Sequence, residues 1–273
     1  MDDLALFDTG RWPAREALAR IFGCLLVVLL VANRILQLPG WPGYIQEVRW
    51  VRPWFETLAF LPKALLPPAF DLELRYTGYG YTRSQIHLLW SLELLLWFIE
   101  TGLLLGYAIV WLTRPPARAS AKGFMQTAFP MLLVILPFGI VTRPYTYNRW
   151  MPENAVAHLG GLYAINGALI AAGLLNLAGL VALRRSFSIM AEARVFVRAG
   201  PYRWVRHPMY LAHFVIFFCC TLLRLQMLTV GLYLAFFAGQ ALRARIEERK
   251  LSEAFPEYEE YRRSTGMFLP RLF

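Results

Sequence analysis

One short stretch of the sequence places a histidine, arginines and aromatic residues directly before an apolar segment. It reads Gly200-Pro-Tyr-Arg-Trp-Val-Arg-His-Pro-Met-Tyr210. Pro208 suits the first turn of a helix, where its missing N–H costs no hydrogen bond, and it biases His207 toward an extended backbone. The His207 ring and the unpaired amides of the first turn could therefore face a ligand. The stretch has the chemistry of a binding site at the edge of a membrane.

The same residues also suit a second interpretation, a juxtamembrane anchor. Arg203 and Arg206 could bind the phosphates of lipid headgroups. The rings of Tyr202, Trp204 and Tyr210 are of the kind enriched where membrane and water meet. Both interpretations fit the local sequence, so other parts of the chain must separate them.

A second polar cluster, from Arg243 to Glu248, follows the two apolar segments that come after Pro208. Only the tripeptide Arg224-Leu-Gln226 separates the apolar segments Pro208–Leu223 and Met227–Leu242, which predicts a tight helical hairpin whose polar ends converge. The pocket between those ends would offer an imidazole, backbone amides, aromatic rings, guanidinium groups and a carboxylate at Glu247 or Glu248. Such a pocket suits a zwitterionic ligand with a ring, hydroxyls, an amine and a carboxylate. Alternatively, the two glutamates only pair with neighbouring arginines on a solvated helix face.

The composition is that of a polytopic membrane protein. Apolar residues make up 58% of the 273 residues, and they are concentrated in runs of membrane-spanning length. The net charge of +10 comes from arginines in short loops beside these runs, which favours contact with anionic lipid and argues against nucleic-acid binding. No phosphate-binding loop, GxGxxG, HExxH or paired CxxC occurs, so we expect neither a soluble nucleotide site nor a metal site. The three cysteines lie within apolar segments and are interpreted as small core residues.

Hydropathy and proline positions predict an all-α fold of about six transmembrane helices. The predicted spans are Ile21–Leu38, Ile86–Leu112, Gly123–Val141, about His158–Leu183, Pro208–Leu223 and Met227–Leu242. The connection Tyr44–Gln85 is broken by prolines and should lie in the interface or re-enter. The start of the chain lacks the pattern of a cleaved signal peptide, so we expect the first span to be retained.

The distribution of arginines predicts which side of the membrane each loop occupies. The segment Arg184–Arg206 carries six arginines and the single acidic residue Glu192, which places it in the cytoplasm. Six spans then put the basic loop Arg114–Lys122 on the same side and Tyr44–Gln85 outside. The pocket at the hairpin ends would therefore face the cytoplasm.

Two carboxylates lie inside a predicted span. Glu93 and Glu100 are seven residues apart, about two helical turns, so they share one face. An intramembrane carboxylate is costly, which leaves two readings of similar weight: a structural bond to another helix, or a part in turnover. We interpret His213 as a core histidine, and Asn166 and Asn176 as formers of interhelical hydrogen bonds.

From Arg184 to Pro270 the sequence resembles the isoprenylcysteine carboxyl methyltransferase family and its phospholipid methyltransferase relatives. Four motifs carry the resemblance: Arg-Ser-Phe-Ser-Ile at Arg185–Ile189, Gly-Pro-Tyr-x-x-x-Arg-His-Pro-x-Tyr at Gly200–Tyr210, Glu-Glu-x-x-Leu at Glu247–Leu251, and Phe-Pro-Glu-Tyr-x-x-Tyr at Phe255–Tyr261. The resemblance implies an integral membrane enzyme that uses S-adenosylmethionine. It also implies a set of cofactor contacts: Arg194, Val195, Phe196, Val197, Tyr202, His207, Pro208, Met209, Tyr210 and Glu247.

The resemblance further implies that Arg243 meets a lipidic or amphipathic acceptor that enters from the bilayer. Residues 1–183 would select that acceptor, and residues 184–273 would form the cofactor-binding core. A carboxylate acceptor, such as a prenylated cysteine, needs no base, whereas a thiol or a phospholipid amine needs one, for which Glu93, Glu100 and His213 are candidates. Two rival functions stay open: an NADPH-dependent reductase of sterol-like double bonds, and a binding protein with a decayed site.

Overall fold

The computed structural model describes residues 81–113, 123–151, 154–183 and 196–271. The predicted first span Ile21–Leu38, the basic loop Arg114–Lys122 and the connection Tyr44–Gln85 as far as residue 80 lie outside these ranges. In the described part every regular element is a helix, apart from one isolated parallel bridge between Val205 and Gly266. The predicted all-α class is therefore confirmed for these residues.

Seven α-helices are present in the described part of the chain: α1 Arg83–Thr113, α2 Ala128–Val141, α3 Tyr147–Trp150, α4 Ala155–Leu183, α5 Pro208–Leu223, α6 Met227–Ala254 and α7 Tyr258–Ser264. Two 3-10 turns, Phe124–Gln126 and Gly200–Arg203, precede α2 and α5. The helix α5 begins and ends at the predicted residues, because Pro208 takes the N1 position and the chain leaves helical geometry at Arg224.

Among the residues that the structure describes, three helices are long and apolar enough to cross a membrane, over Ser91–Val110, Val156–Leu183 and Met227–Ala254. They support an integral membrane protein. The helices α2 and α5 are shorter, with 14 and 16 residues. At 1.5 Å per residue they extend about 21 and 24 Å, less than the hydrocarbon thickness of about 30 Å. The prediction of six spans therefore stays a prediction.

Two glycines of α4 allow neighbouring helices to approach it closely. A Cβ on Gly173 would lie 2.8 Å from Ile99 of α1, and one on Gly179 would lie 2.6 Å from Met209 of α5. Gly239 of α6 leaves room for Leu133 of α2 in the same way. Helices that approach this closely gain dispersion contacts that lipid cannot supply.

The hairpin of α5 and α6 is joined by the three-residue connection that the sequence predicts. Gln226 and Thr229 form a reciprocal capping box at the start of α6. Aromatic rings hold the two helices together: Phe214 lies 4.4 Å from Phe237, and Phe217 lies 5.0 Å from Phe236, between ring centroids. Contacts of this kind contribute beyond the area that they bury.

Polar side chains also join the helices. Asn176 of α4 accepts a hydrogen bond from the Tyr107 hydroxyl at 3.2 Å, and its Nδ2 lies 3.2 Å from Nε2 of His213. This confirms the interhelical role predicted for Asn176. The prediction for Asn166 is wrong, because its amide donates to the carbonyl of Leu162 one turn earlier in the same helix.

Candidate active site at the polar ends of the hairpin

The backbone beside His207 is fixed by the tail of the chain. The amides of Arg206 and His207 donate to the carbonyls of Gly266 and Met267 at 2.8 and 3.0 Å. Gly266 is required there, because a Cβ would lie 1.8 Å from the carbonyl oxygen of Leu269. His207 is the N-cap of α5, with φ −127° and ψ 62°, and it makes no side-chain capping bond. Its φ is that expected before a proline, but its ψ falls short of the extended backbone that the sequence predicts.

Glu248 binds both basic side chains that precede α5. Its two oxygens accept from Nε and Nη2 of Arg206 at 2.7 and 3.3 Å, and Oε1 lies 3.1 Å from Nε2 of His207. Arg206 also donates to the backbone carbonyls of Arg262 and Thr265. These groups are almost completely buried, so the arrangement is a bidentate ion pair in a low-dielectric setting. It orients the His207 ring.

Glu247, the preceding residue of the same helix, bonds a different pair of side chains. Its Oε1 accepts from the Tyr210 hydroxyl at 2.7 Å and from Nε of Arg243 at 2.9 Å. Its Oε2 accepts no hydrogen bond from the described residues. Arg243 is only 6% exposed, so this pair is a buried polar contact between the hairpin ends and differs from the solvated pair that the alternative interpretation proposed.

Aromatic rings line the space between these two carboxylates. The rings of His207 and Tyr210 are stacked, with centroids 5.2 Å apart and planes 10° from parallel. The guanidinium of Arg243 lies 5.3 Å from the centroid of the Tyr210 ring, a cation–π contact. Phe268 closes one edge at 5.8 Å from His207. The site thus combines flat rings, a carboxylate and a guanidinium within one small region.

In the stretch from Gly200 to Tyr210, some residues fit a membrane anchor and others fit a binding site. Trp204 is 61% exposed, and Arg203 lies beside its ring, which fits an interfacial anchor. Tyr202 is buried and accepts a hydrogen bond from the Tyr261 hydroxyl through its carbonyl oxygen. Burial, and after it the negative charge of Glu247, raises the pKa of the Tyr202 phenol well above its usual value, so the hydroxyl remains a donor at neutral pH.

Residues 164–253 match the isoprenylcysteine carboxyl methyltransferase family. This part of the chain is isoprenylcysteine carboxyl methyltransferase-like. The matched region contains Asn176, Tyr202, His207 and Glu247, whereas the tail that supports His207 from Gly266 lies beyond it.

Two curated relatives are both named as metal-resistance proteins. The chain is 29% identical over 140 residues to the cobalt-zinc-cadmium resistance protein CzcN of Cupriavidus metallidurans, covering 51% of this chain and 62% of the relative. It is 33% identical over 112 residues to the nickel-cobalt-cadmium resistance protein NccN of Alcaligenes xylosoxydans xylosoxydans, covering 40% and 53%. The chain thus spans somewhat more than half the length of each relative.

The predicted methyltransferase site residues fall into four groups. Tyr202, His207, Tyr210, Arg243 and Glu247 come together as described above. Pro208 and Met209 are buried at the first turn of α5, and Met209 packs in an apolar cluster with Ile99, Leu103 and Leu180. Phe196 packs on Tyr258 and Tyr261, at 5.1 and 5.0 Å between ring centroids, with the half-buried Val197 next to it. Arg194 and Val195 lie outside the described residues.

Glu93 is half-buried in α1. Tyr107, later in the same helix, donates a hydrogen bond to Asn176 of α4, and Asn176 in turn lies within hydrogen-bond distance of His213 of α5. Fourteen residues separate Glu93 from Tyr107, about 21 Å along the helix axis. Its predicted catalytic part stays a prediction, as does the division of the chain after residue 183.

Several residues of the site were not singled out from the sequence. The sequence predicts Arg206 only as a contact for lipid phosphates, although the adjacent arginine and histidine before Pro208 could suggest that both meet one carboxylate. Tyr107 and Phe268 carried no recognisable signal, because each reaches the site from a distant part of the chain.

Proposed function

We propose that the protein is an integral membrane methyltransferase that uses S-adenosylmethionine and acts on a lipidic or amphipathic carboxylate. The observation that carries the proposal is the buried contact of Arg243, Glu247 and Tyr210 at the polar ends of an apolar hairpin. It lies within the region that matches the methyltransferase family. The cofactor site and the end of an acceptor path from the bilayer would then meet at Arg243.

The residues present fit the cofactor. The stacked rings of His207 and Tyr210 suit a flat heteroaromatic base, and the unbonded Oε2 of Glu247 suits an ammonium or a ribose hydroxyl. Tyr202, held protonated, can donate to a carboxylate. When bound, S-adenosylmethionine would supply an electrophilic methyl group on a positively charged sulfur.

Arg243 suits the acceptor. A guanidinium carries five N–H donors in a planar fork that matches a carboxylate, and the bond of Arg243 to Glu247 uses the donor at Nε. The nearby Glu247 offsets part of its charge, which limits how strongly an acceptor carboxylate is held and so preserves the nucleophilicity of its oxygen. A carboxylate oxygen gains the methyl carbon while the methyl–sulfur bond breaks. The products are a methyl ester and a neutral thioether, and no proton has to move.

Orientation and exclusion of water supply most of the rate enhancement under this proposal. In-line displacement asks the site to hold the nucleophile and the methyl carbon in near-attack geometry, which can lower the barrier by several kcal/mol. Rigid neighbours serve that purpose: the tail fixes His207, and Glu247 ties Arg243 to Tyr210. The names of CzcN and NccN associate those relatives with metal resistance, and the proposal assigns no metal to the methyl-transfer site.

Ligand-induced stabilisation separates this proposal from the reductase. Because a ligand of the folded state raises the unfolding temperature, S-adenosylhomocysteine should stabilise the purified protein and NADPH should not. His207→Ala should remove that stabilisation, whereas Arg203→Ala, a change at an exposed neighbour, should retain it. Stabilisation by NADPH alone would support the reductase, and stabilisation by neither would favour a protein with a decayed site.

A further inference from the structure

The residues that follow α7 turn toward the membrane beside α5. Val205 and Gly266 form a parallel bridge, and the hydrogen bonds of Arg206 and His207 to the tail continue it. Two segments that pair in parallel run in the same direction. Since the residues after Val205 lead into the apolar helix α5, the residues after Gly266 run toward the membrane as well.

Phe268 shows how far this tail reaches along the hairpin. Its ring centroid lies 5.8 Å from that of His207 and 5.1 Å from that of Phe214. The Phe214 ring in turn lies 4.4 Å from the Phe237 ring. On α6, Phe237 comes six residues before Arg243, about 9 Å deeper along the helix axis. Phe268 therefore connects the polar end of the hairpin with its apolar part.

Leu269 is the exposed tip of the tail. The backbone folds back on itself there, and the carbonyl oxygen of Leu269 lies only 1.8 Å from where a Cβ on Gly266 would be. Leu269 is 70% exposed, although the ring of the preceding residue, Phe268, packs on Phe214. Phe237, on the other side of Phe214, is 42% exposed on the spanning helix α6. The exposed tip thus lies at the depth of an apolar surface that α6 turns outward.

Exposed arginines and a tryptophan accompany this tip. Trp204, one residue before the bridge, is 61% exposed, and the guanidinium of Arg203 lies 5.5 Å from its ring centroid. Arg271, two residues after Leu269, is exposed as well. The sequence contains no acidic residue in 200–210 or in 261–271. Apolar side chains flanked by cations and an indole ring are typical of a segment in the interface of an anionic leaflet.

We infer that the tail loop, residues 266–271, is inserted together with Trp204 into the leaflet at the polar end of the hairpin, where Arg203 and Arg271 bind anionic headgroups. The partner is a phospholipid surface of negative charge. By holding Leu269, the leaflet keeps the adjoining Phe268 beside His207, which makes Phe268 a positioning residue at the edge of the candidate site. The insertion is independent of the reaction, whereas its effect on ligand binding rests on the proposed function.

A fluorescent label that is quenched by nitroxides measures the insertion. After the three native cysteines are replaced, the label is attached to Pro270→Cys in the tail loop or, as the matched control, to Ser264→Cys at the exposed end of α7. The protein is reconstituted into vesicles of phosphatidylcholine, with or without phosphatidylglycerol, that contain a lipid with a nitroxide just below its headgroup. The label at residue 270 should be quenched and the label at residue 264 should not. Phosphatidylglycerol should increase the quenching at residue 270.

Substitutions at the tip and at the arginines separate the two contributions. Burial of a leucine side chain favours the inserted position by about tenfold or more, so Leu269→Asp should lose most of the quenching at residue 270, and Leu269→Met should retain it. The side chain of Leu269 is mostly exposed, so neither substitution removes a packed contact of the fold. Replacement of Arg203 and Arg271 by glutamine should abolish only the increase that phosphatidylglycerol causes.

The effect on the candidate site is measured separately, as the affinity for S-adenosylhomocysteine in the same vesicles. Leu269→Asp and Phe268→Leu should each weaken binding by about twofold to tenfold, which is the worth of one aromatic contact. Only Leu269→Asp should also lose the quenching at residue 270. Leu269→Met is the control and should bind as the wild-type protein does.

The inference is overturned if the lipid nitroxide leaves the label at residue 270 unquenched while a water-soluble quencher reaches both labels equally. Quenching at residue 270 that is unchanged in Leu269→Asp would overturn it as well. Wild-type affinity in Leu269→Asp would remove the positioning role of Phe268. Absence of S-adenosylhomocysteine binding to the wild-type protein would instead contradict the proposed cofactor, and the quenching result would stand without it.

Discussion

The hydroxyl of Tyr210 donates a hydrogen bond of 2.7 Å to Oε1 of Glu247, and this bond joins the first turn of α5 to the end of α6. Arg243 donates to the same oxygen. The next residue, Glu248, binds Arg206 and His207 instead. Two adjacent carboxylates of α6 thus have different structural roles: Glu247 joins the hairpin ends, and Glu248 anchors the segment before α5.

This division predicts different outcomes for two matched substitutions. Glu247→Gln keeps an acceptor oxygen for Tyr210 but removes the charge that we assign to the cofactor. The rise in unfolding temperature with S-adenosylhomocysteine should then need at least about tenfold more ligand, since a charged hydrogen bond contributes roughly 1.5–3 kcal/mol. Titration of the unfolding temperature with ligand measures this. Unchanged affinity would remove Glu247 from the cofactor site.

Glu248→Gln should act on stability instead of affinity. It leaves the guanidinium of Arg206, whose side chain is 11% exposed, without its bidentate partner. Breaking a buried pair by removing one member costs about 3–5 kcal/mol. We expect a lower unfolding temperature without ligand, and a ligand affinity in the folded fraction closer to wild type than that of Glu247→Gln. A larger loss of affinity in Glu248→Gln would contradict the assignment.

The hairpin could be predicted from the sequence because local rules determine it. Pro208 starts α5, the polar tripeptide from Arg224 ends it, and the apolar runs on both sides have helical length. The convergence of His207 with Glu247 follows from that geometry alone. The same reasoning overestimated α2, because hydropathy continues from Gly123 while the helix itself begins only at Ala128.

The interior of the site could not be predicted in the same way. The bonds of Arg206 to Glu248 and of His207 to Met267 join residues about 40 and 60 positions apart, and no local pattern encodes such pairs.

Alkaline pH should destabilise the packed tail. Burial raises the pKa of Tyr261 to about 12. Below about pH 10 the folded and unfolded states both hold this proton, so the full contribution of Tyr261 to the free energy of unfolding is present there. Between pH 10 and 12 only the unfolded chain releases the proton. Stability should therefore fall as the pH rises, by about 1.4 kcal/mol per pH unit from this group.

Tyr261→Phe tests this dependence. It should be less stable than wild type at pH 8 by about 1 kcal/mol, because it loses the hydrogen bond to the carbonyl of Tyr202. Above pH 10 its unfolding temperature should fall less steeply. Some slope should remain, since burial also raises the pKa of Tyr258. Parallel curves for the two proteins from pH 8 to 11 would contradict the prediction.

The predicted topology can be tested with introduced cysteines. After Cys24, Cys219 and Cys220 are replaced, Thr77→Cys should react with a membrane-impermeant thiol reagent in intact cells, and Ser188→Cys should not. The reason is the excess of arginine in the segment around Ser188. Both positions should react in permeabilised cells, which serves as the control. Labelling of Ser188→Cys alone in intact cells would invert the topology.

The identity of the acceptor determines how much Arg243 matters. For a carboxylate, Arg243→Lys keeps the positive charge but loses the planar two-point grip, so turnover should fall by roughly one to two orders of magnitude through poor alignment. Affinity for S-adenosylhomocysteine should change much less. A thiol or amine acceptor would instead need a base, and the rate would then fall at low pH with the titration of that base.

His213→Ala and Glu93→Gln complete the comparison on the same acceptors. His213 lies within hydrogen-bond distance of Asn176, which links it to Tyr107 of α1. Glu93 lies about 21 Å along α1 from Tyr107. With a carboxylate acceptor neither substitution should flatten the pH–rate profile, because no proton is transferred. Wild-type turnover in Arg243→Lys, together with a flattened profile in either of the other two variants, would refute the carboxylate acceptor and identify the residue that acts as the base.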